Sequence, residues 1–195
     1  ERHLTPLERE SVWLAILTVA REGVGTHHLK LFRDAGGTDA MAAGLVRLAG
    51  YAPAADALVF AQAHWADFVP TLDPAGTYAD GIARLSDGAV PADTVELAML
   101  AAQAARHAPA GLAHHLRAAY ARGISEERMV EALAYVMWPC GVNAFLDACA
   151  LWHDLMAAGE VHPSERFAAW ADMPRQGAYE KASGAPVGGF APRDG

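Results

Sequence analysis

The chain has 195 residues, a formal net charge of −8 and a pI near 5.5, and 53% of its residues are apolar. That length fits one domain or two small fused ones, with enough apolar mass for a core. The dispersed acids and the lack of a basic stripe exclude nucleic acid as a partner, and no uninterrupted apolar run is long enough to span a bilayer.

The first segment, "ERHLTPLERE", lacks the apolar stretch of a secretory leader, so a cytoplasmic setting is expected. Thr5, Pro6 and Glu8 predict a capped helix that stops at Gly23. Residues 26–35 predict a short helix closed by Gly36-Gly37, and Thr38 caps a third that runs to about Ala49. A fourth begins near Ala54. Residues 70–92, rich in Pro, Gly and Asp, predict a linker with room for a short helix from Tyr78 to Leu85.

Asp93 and Glu96 predict a second D-x-x-E helix start, with the helix running to about His107. A histidine helix follows over 112–122, then one capped by Ser125, then a break at Pro139–Gly141 and a long helix to about Ala158. A last short helix is expected after Ser164, and the tail "GAPVGGFAPRDG" is expected to be irregular. The two cysteines, Cys140 and Cys149, do not form CxxC and predict buried, inert thiols in a reduced compartment.

"HHLKLFRDAG" from His27 and "HHLRAAYARG" from His114 are related by 87 residues. The same shift pairs Gly36 with Gly123, Trp65 with Trp152, Asp67 with Asp154 and Tyr51 with Trp138. A tandem copy is therefore expected: a first unit over 1–69, a linker over 70–92, a second unit over 93–158 and an extension over 159–195. Adjacent helical residues point about 100° apart, so neither histidine pair grips a metal, and no metal is expected. The plainer role for such pairs is ordinary hydrogen bonding at helix ends or interfaces. Trp65 and Trp152 are expected as core or interface anchors, and His107 and His153 as surface or interface residues.

The stretch from Val95 to Ala148, with its His-centred helix, "GISEE" turn and interrupted helix, resembles the carboxymuconolactone decarboxylase family, which includes alkylhydroperoxidase D. The resemblance implies an all-α fold of two tandem units packed as one pseudo-symmetric domain. The peroxidase branch carries Glu, eleven residues, CxxC, three residues and His. Here those positions are Glu96, Ala108, Gly111 and His115, so both thiols are missing. In the first half they are Arg9, Arg21, Val24 and His28, so the acid is missing too. Peroxide reduction needs a thiolate and a resolving partner, and is disfavoured.

The decarboxylase branch is similar to this chain in lacking CxxC, though its acidic residue before the His is replaced here by "APAGLA". It implies acid–base chemistry without metal or organic cofactor on a small carboxylated or lactone-type substrate. His115 is expected to move the proton, since imidazole titrates near neutrality. Glu96 either orients it or caps its own helix with Asp93, and along a simple hairpin the two would lie roughly 10 Å apart. His114, His28 and His27 are secondary candidates. Trp138, Cys140 and Asn143, at the helix break, are expected to line a pocket. The resemblance also implies a homo-oligomer, with a trimer following from the fused pair. A binding or assembly protein on the same scaffold is the competing expectation.

Overall fold

A computed structural model describes residues 2–174, and every regular element among them is helical. Helix α1 (Pro6–Ala20) starts on the expected capping box: Thr5 accepts from the Glu8 amide while the Glu8 carboxylate accepts from the Thr5 amide. Arg21, not Gly23, ends it, in the left-handed region at φ 57°. A 3-10 turn (Val24–Thr26) leads into α2 (His27–Asp34). Thr38 caps α3 (Asp39–Tyr51) through the Met41 amide, and α4 (Ala54–Trp65) follows across Ala52 and Pro53.

The stretch expected as a linker holds a full helix, α5 (Pro74–Ser86), capped by Asp73 on the Gly76 amide. It packs on α3 and α4 and buries Tyr78 and Ile82. Next comes α6 (Ala92–Ala105), with Pro91 as its N-cap. The expected Asp93–Glu96 box does not form, because stronger partners claim both acids. Asp93 accepts from Arg122 and Arg128, and Glu96 turns to His115.

The histidine helix, α7 (Pro109–Ala121), gives way to Gly123 at φ 71°, a conformation that favours glycine. Beyond it are α8 (Glu126–Ala134), the short α9 (Met137–Cys140), α10 (Val142–Ala157) and α11 (Glu165–Ala171). The tail expected to be irregular lies outside the described residues. Moved by 87 residues, α2 falls on the last eight residues of α7, and α3 begins where α8 begins.

The central pair is α1 and α6, packed side by side. On one side Val12, Ile16, Leu97 and Leu100 meet Leu116 and Met129. On the other, Leu14, Val95 and Met99 meet Phe32, Leu48 and Tyr78. Both helices feed both clusters, so the two halves of the chain share their packing. Each fully buried Leu contributes about 1.5–3 kcal/mol of transfer free energy.

One stretch, Asp39–Trp65, is long and apolar enough by length and composition to cross a membrane, contrary to the expectation from the sequence. It is two helices meeting at Ala52–Pro53, and Leu45, Leu48 and Ala49 of α3 are buried in the shared packing.

Candidate active site

Four side chains from three helices, α5, α6 and α7, form one hydrogen-bonded line through the interior. Gln103, on the last turns of α6, is fully buried, and its Nε2 donates to the Ala52 carbonyl at 3.0 Å and to the Tyr78 hydroxyl at 2.8 Å. Its Oε1 accepts from Arg106 at 2.9 Å. A carbonyl can only accept, so the amide orientation is fixed by its partners.

Tyr78, from α5, already accepts from Gln103, and its single hydrogen points at His115 Nε2, 3.1 Å away. Burial pushes this phenol up to about 12, against the lowering effect of the Gln103 bond, so the hydroxyl keeps its proton. His115 on α7 is 0% exposed. With Nε2 accepting, its proton sits on Nδ1 and is donated to Glu96 Oε2 at 2.7 Å. The network thus assigns the Nδ1–H tautomer.

Glu96 and His115 meet within one chain, so the distance expected for a simple hairpin does not hold. The turn between α6 and α7 is tight: His107 takes φ 52°, and Pro109 starts α7. The helices then cross with α7 lying over α6, and Gly111 removes the side chain that would block the approach. A Cβ at residue 111 would lie 2.4 Å from Gln103 Cδ and Nε2. The space that a thiol at that position would need is filled by the Gln103 amide.

Glu96 is the end of the line that reaches open space. Its side chain is 14% exposed, and Oε1 has no hydrogen-bond partner among the described residues. It stands on the wall of a cavity of about 630 Å³ between α5, α6 and α7. Ile82, Val90 and Val95 make that wall largely apolar, and His114 is the second titratable group on it. No Lys or Arg is among the residues that line it. His114 stands edge-on to Tyr78 at 5.0 Å. Burial, then the neighbouring His115, holds its imidazole below the ordinary histidine range, so it is neutral at neutral pH.

The candidates from sequence therefore fall in different places. Glu96 and His114 face the cavity. His115 sits behind them with both ring nitrogens occupied and does not reach it, because α5 closes over its ring. His28 pairs with Glu10 elsewhere, on α1 and α2, and the neighbouring His27 is exposed.

Trp138, Cys140 and Asn143 are not on the cavity wall. They belong to the α9–α10 segment, which packs on α1, α6 and α7, and Trp138 is 81% exposed. Both cysteines are free, and burial raises each thiol, Cys149 to about 11. Trp152 is buried against Phe167 and Trp170, whereas its counterpart Trp65 is 54% exposed. His153, expected as a surface or interface residue, is buried and donates from Nε2 to the Met173 carbonyl. His107 is exposed beside Asp147. No group of three or more His, Cys, Asp or Glu among the described residues is placed to hold a metal ion.

Sequence reasoning missed Tyr78, Gln103 and Glu10. Tyr78 lay in the presumed linker, and Gln103 had no signal except that it is the one polar residue in "LAMLAAQAA".

Fold and site define an all-α protein whose buried amide–phenol–imidazole line ends in a carboxylate on an apolar cavity. Residues 73–154, which hold every member of that line, match the model of the carboxymuconolactone decarboxylase family. The match begins with α5, the helix that supplies Tyr78. No curated protein and no solved structure matches the chain. The family is commonly enzymatic, and the match fits a decarboxylase or alkylhydroperoxidase D-like role in general.

Proposed function

We propose that this chain is an acid–base enzyme, a carbon–carbon lyase or isomerase, that acts at Glu96 and His114 on a small lactone or other enolisable carbonyl compound. The single observation that carries this is the hydrogen-bonded line from Gln103 to Glu96, which ends on the cavity wall. Glu96 Oε1 takes the proton next to the carbonyl, while the His115 Nδ1–H holds the charge on Oε2. His114, neutral, donates to the carbonyl oxygen where enolate charge forms. The protonated Glu96 then returns the proton to carbon.

Loss of carbon dioxide is the outcome where the substrate carries a carboxyl group beside the forming carbanion. The absence of Lys and Arg from the lining favours a substrate that is neutral at the end facing Glu96. Peroxidase chemistry is disfavoured by the lack of a CxxC pair and by the raised thiols.

Incubation with a panel of neutral lactones and β-keto acids in deuterated water, followed by NMR, tests this. Deuterium enters, or carbon dioxide leaves, one member of the panel, and Glu96→Gln lowers kcat by about 10²–10⁴-fold. Equal turnover by Glu96→Gln and the parent would end the assignment.

A tandem copy of one helical unit is part of this reading, supported by the 87-residue offset between helix starts. Association of copies, as a trimer, is supported by exposed apolar side chains such as Trp138 and Phe68, which are 81% and 83% exposed. A monomeric sedimentation profile at micromolar concentration would remove it.

A further inference from the structure

The first half of the chain holds a second carboxylate–imidazole pair. Aligned by 87 residues, Arg9 stands against Glu96, which leaves no acid at that position. The structure supplies one from the next residue: Glu10 Oε2 lies 2.7 Å from His28 Nδ1. The sequence separation is 18 residues here and 19 in the Glu96–His115 pair, so a fixed offset misses it.

We propose that Glu10 and His28 form a second proton-transfer site, which takes a neutral, weakly acidic carbon acid from the surface through His28 Nε2. The proposal rests on the same reaction class as the cavity reading, but on different residues.

The two pairs are turned opposite ways. In the cavity pair the ring is 0% exposed and the carboxylate 14%. In this pair the carboxylate is 2% exposed and the ring 12%. Tyr78 covers His115 Nε2, whereas His28 Nε2 has no hydrogen-bond partner among the described residues. A histidine that merely ties α2 to α1 needs one nitrogen, and nothing need fix the aim of the other. Here Trp13 stacks on the ring at 4.5 Å and 19°, which fixes its plane and so the direction of Nε2. The buried carboxylate holds the proton on Nδ1 and leaves the Nε2 lone pair without a partner among the described residues. It then stabilises the imidazolium formed when Nε2 takes a proton.

Arg9 Nε donates to the other Glu10 oxygen at 2.8 Å. Arg9 and Glu10 offset each other as one cation and one anion, so the paired side chains leave no spare charge for an ionic ligand. That argues for a neutral acid.

Ring opening of nitrobenzisoxazole is the probe. A base removes the ring C–H proton, the C–H pair completes the nitrile, and the N–O bond breaks with its pair on a coloured phenolate. Glu96→Gln first silences the cavity. In that background the folded protein still opens the ring, and adding His28→Gln lowers the rate by roughly 100-fold. Glu10→Gln, which can still accept from Nδ1–H but carries no charge, gives an intermediate rate. Equal rates with and without His28→Gln would overturn the proposal.

Failure of the cavity reading leaves the His28-dependent rate in place, and failure of this one leaves the Glu96-dependent rate, so the two are separable. If His28→Gln does not fold, diethyl pyrocarbonate on the parent protein decides, read by peptide mass. His28 is modified together with exposed His107 and well ahead of buried His115. Modification of His107 with His28 left intact would overturn the proposal as well.

Discussion

Tyr78→Phe removes one oxygen and leaves the shape of the core alone. That oxygen serves two buried groups: it accepts from Gln103 Nε2 at 2.8 Å and donates to His115 Nε2 at 3.1 Å. Gln103 keeps its bond to the Ala52 carbonyl, so its loss is one ordinary hydrogen bond, about 1 kcal/mol. His115 Nε2 is left with no partner in a ring that is 0% exposed, which costs about 1–3 kcal/mol. The variant is therefore destabilised by roughly 2–4 kcal/mol, and Tm falls by about 2–4 °C for each kcal/mol in a chain of this size. Urea unfolding followed by circular dichroism measures it, with an unchanged slope showing that the unfolded state is the same. Tyr51→Phe is the control: its hydroxyl reaches only the Thr77 carbonyl at 3.5 Å, near the surface, and a change within about 0.5 kcal/mol is expected. A Tyr78→Phe variant as stable as that control would show that the phenol does not bridge Gln103 and His115.

Gly111→Ala places a Cβ 2.4 Å from the Gln103 amide, so it expels the amide from the line and lowers both the melting temperature and turnover at Glu96; an unaltered melting temperature would contradict the packing described. His114 is held below the ordinary histidine value of 6.5, first by burial, so the unfolded chain binds a proton there before the folded one does. Stability then rises with pH up to about 6.5 and is lost as pH falls through that value toward the lower folded one. In His114→Gln, unfolding midpoints measured at a series of acidic pH values show a shallower loss than the parent, and identical slopes would refute it. Both thiols are raised by burial, so iodoacetamide labels the native protein slowly at neutral pH and quickly in urea; fast native labelling would reopen a redox role for Cys140 or Cys149.

The helices were largely legible because their ends are written in local chemistry. Thr5 with Glu8, Thr38 and Gly123 act within a turn of their own helix, and the structure places each where the sequence suggested. Asp93 and Glu96 carried the same local signal and failed it, since distant partners offered each acid a stronger bond. Arg122, Arg128 and His115 lie 19 or more residues away. The site was legible only in part for the same reason. Glu96, His114 and His115 stood out as residue types, but which of them faces substrate depends on how α7 crosses α6 and on where α5 comes down. Pro, Gly and Asp in residues 70–92 suggested a linker, yet Asp73 and Pro74 are an N-cap and first turn, and the helix they start supplies Tyr78.

Why one pair faces inward and the other outward follows from their neighbours. Around His115, Tyr78 and Gln103 are polar and buried, and the Tyr78 hydroxyl is satisfied by Gln103 on one side and the imidazole on the other, so the ring is drawn inside and its carboxylate is left at the cavity edge. Around His28 the second partner of the carboxylate is Arg9, on the same helix and partly exposed, so the charge is compensated from the flank and Glu10 can sink to 1% exposure. Trp13 then offers an apolar face but no hydrogen bond, and the ring rests on it with one nitrogen free. One imidazole thus has a phenol bonded to Nε2, and the other has an indole stacked on its ring face with Nε2 unpartnered among the described residues. A pair with an identical 2.7 Å contact can offer its carboxylate in one half of the chain and its imidazole in the other.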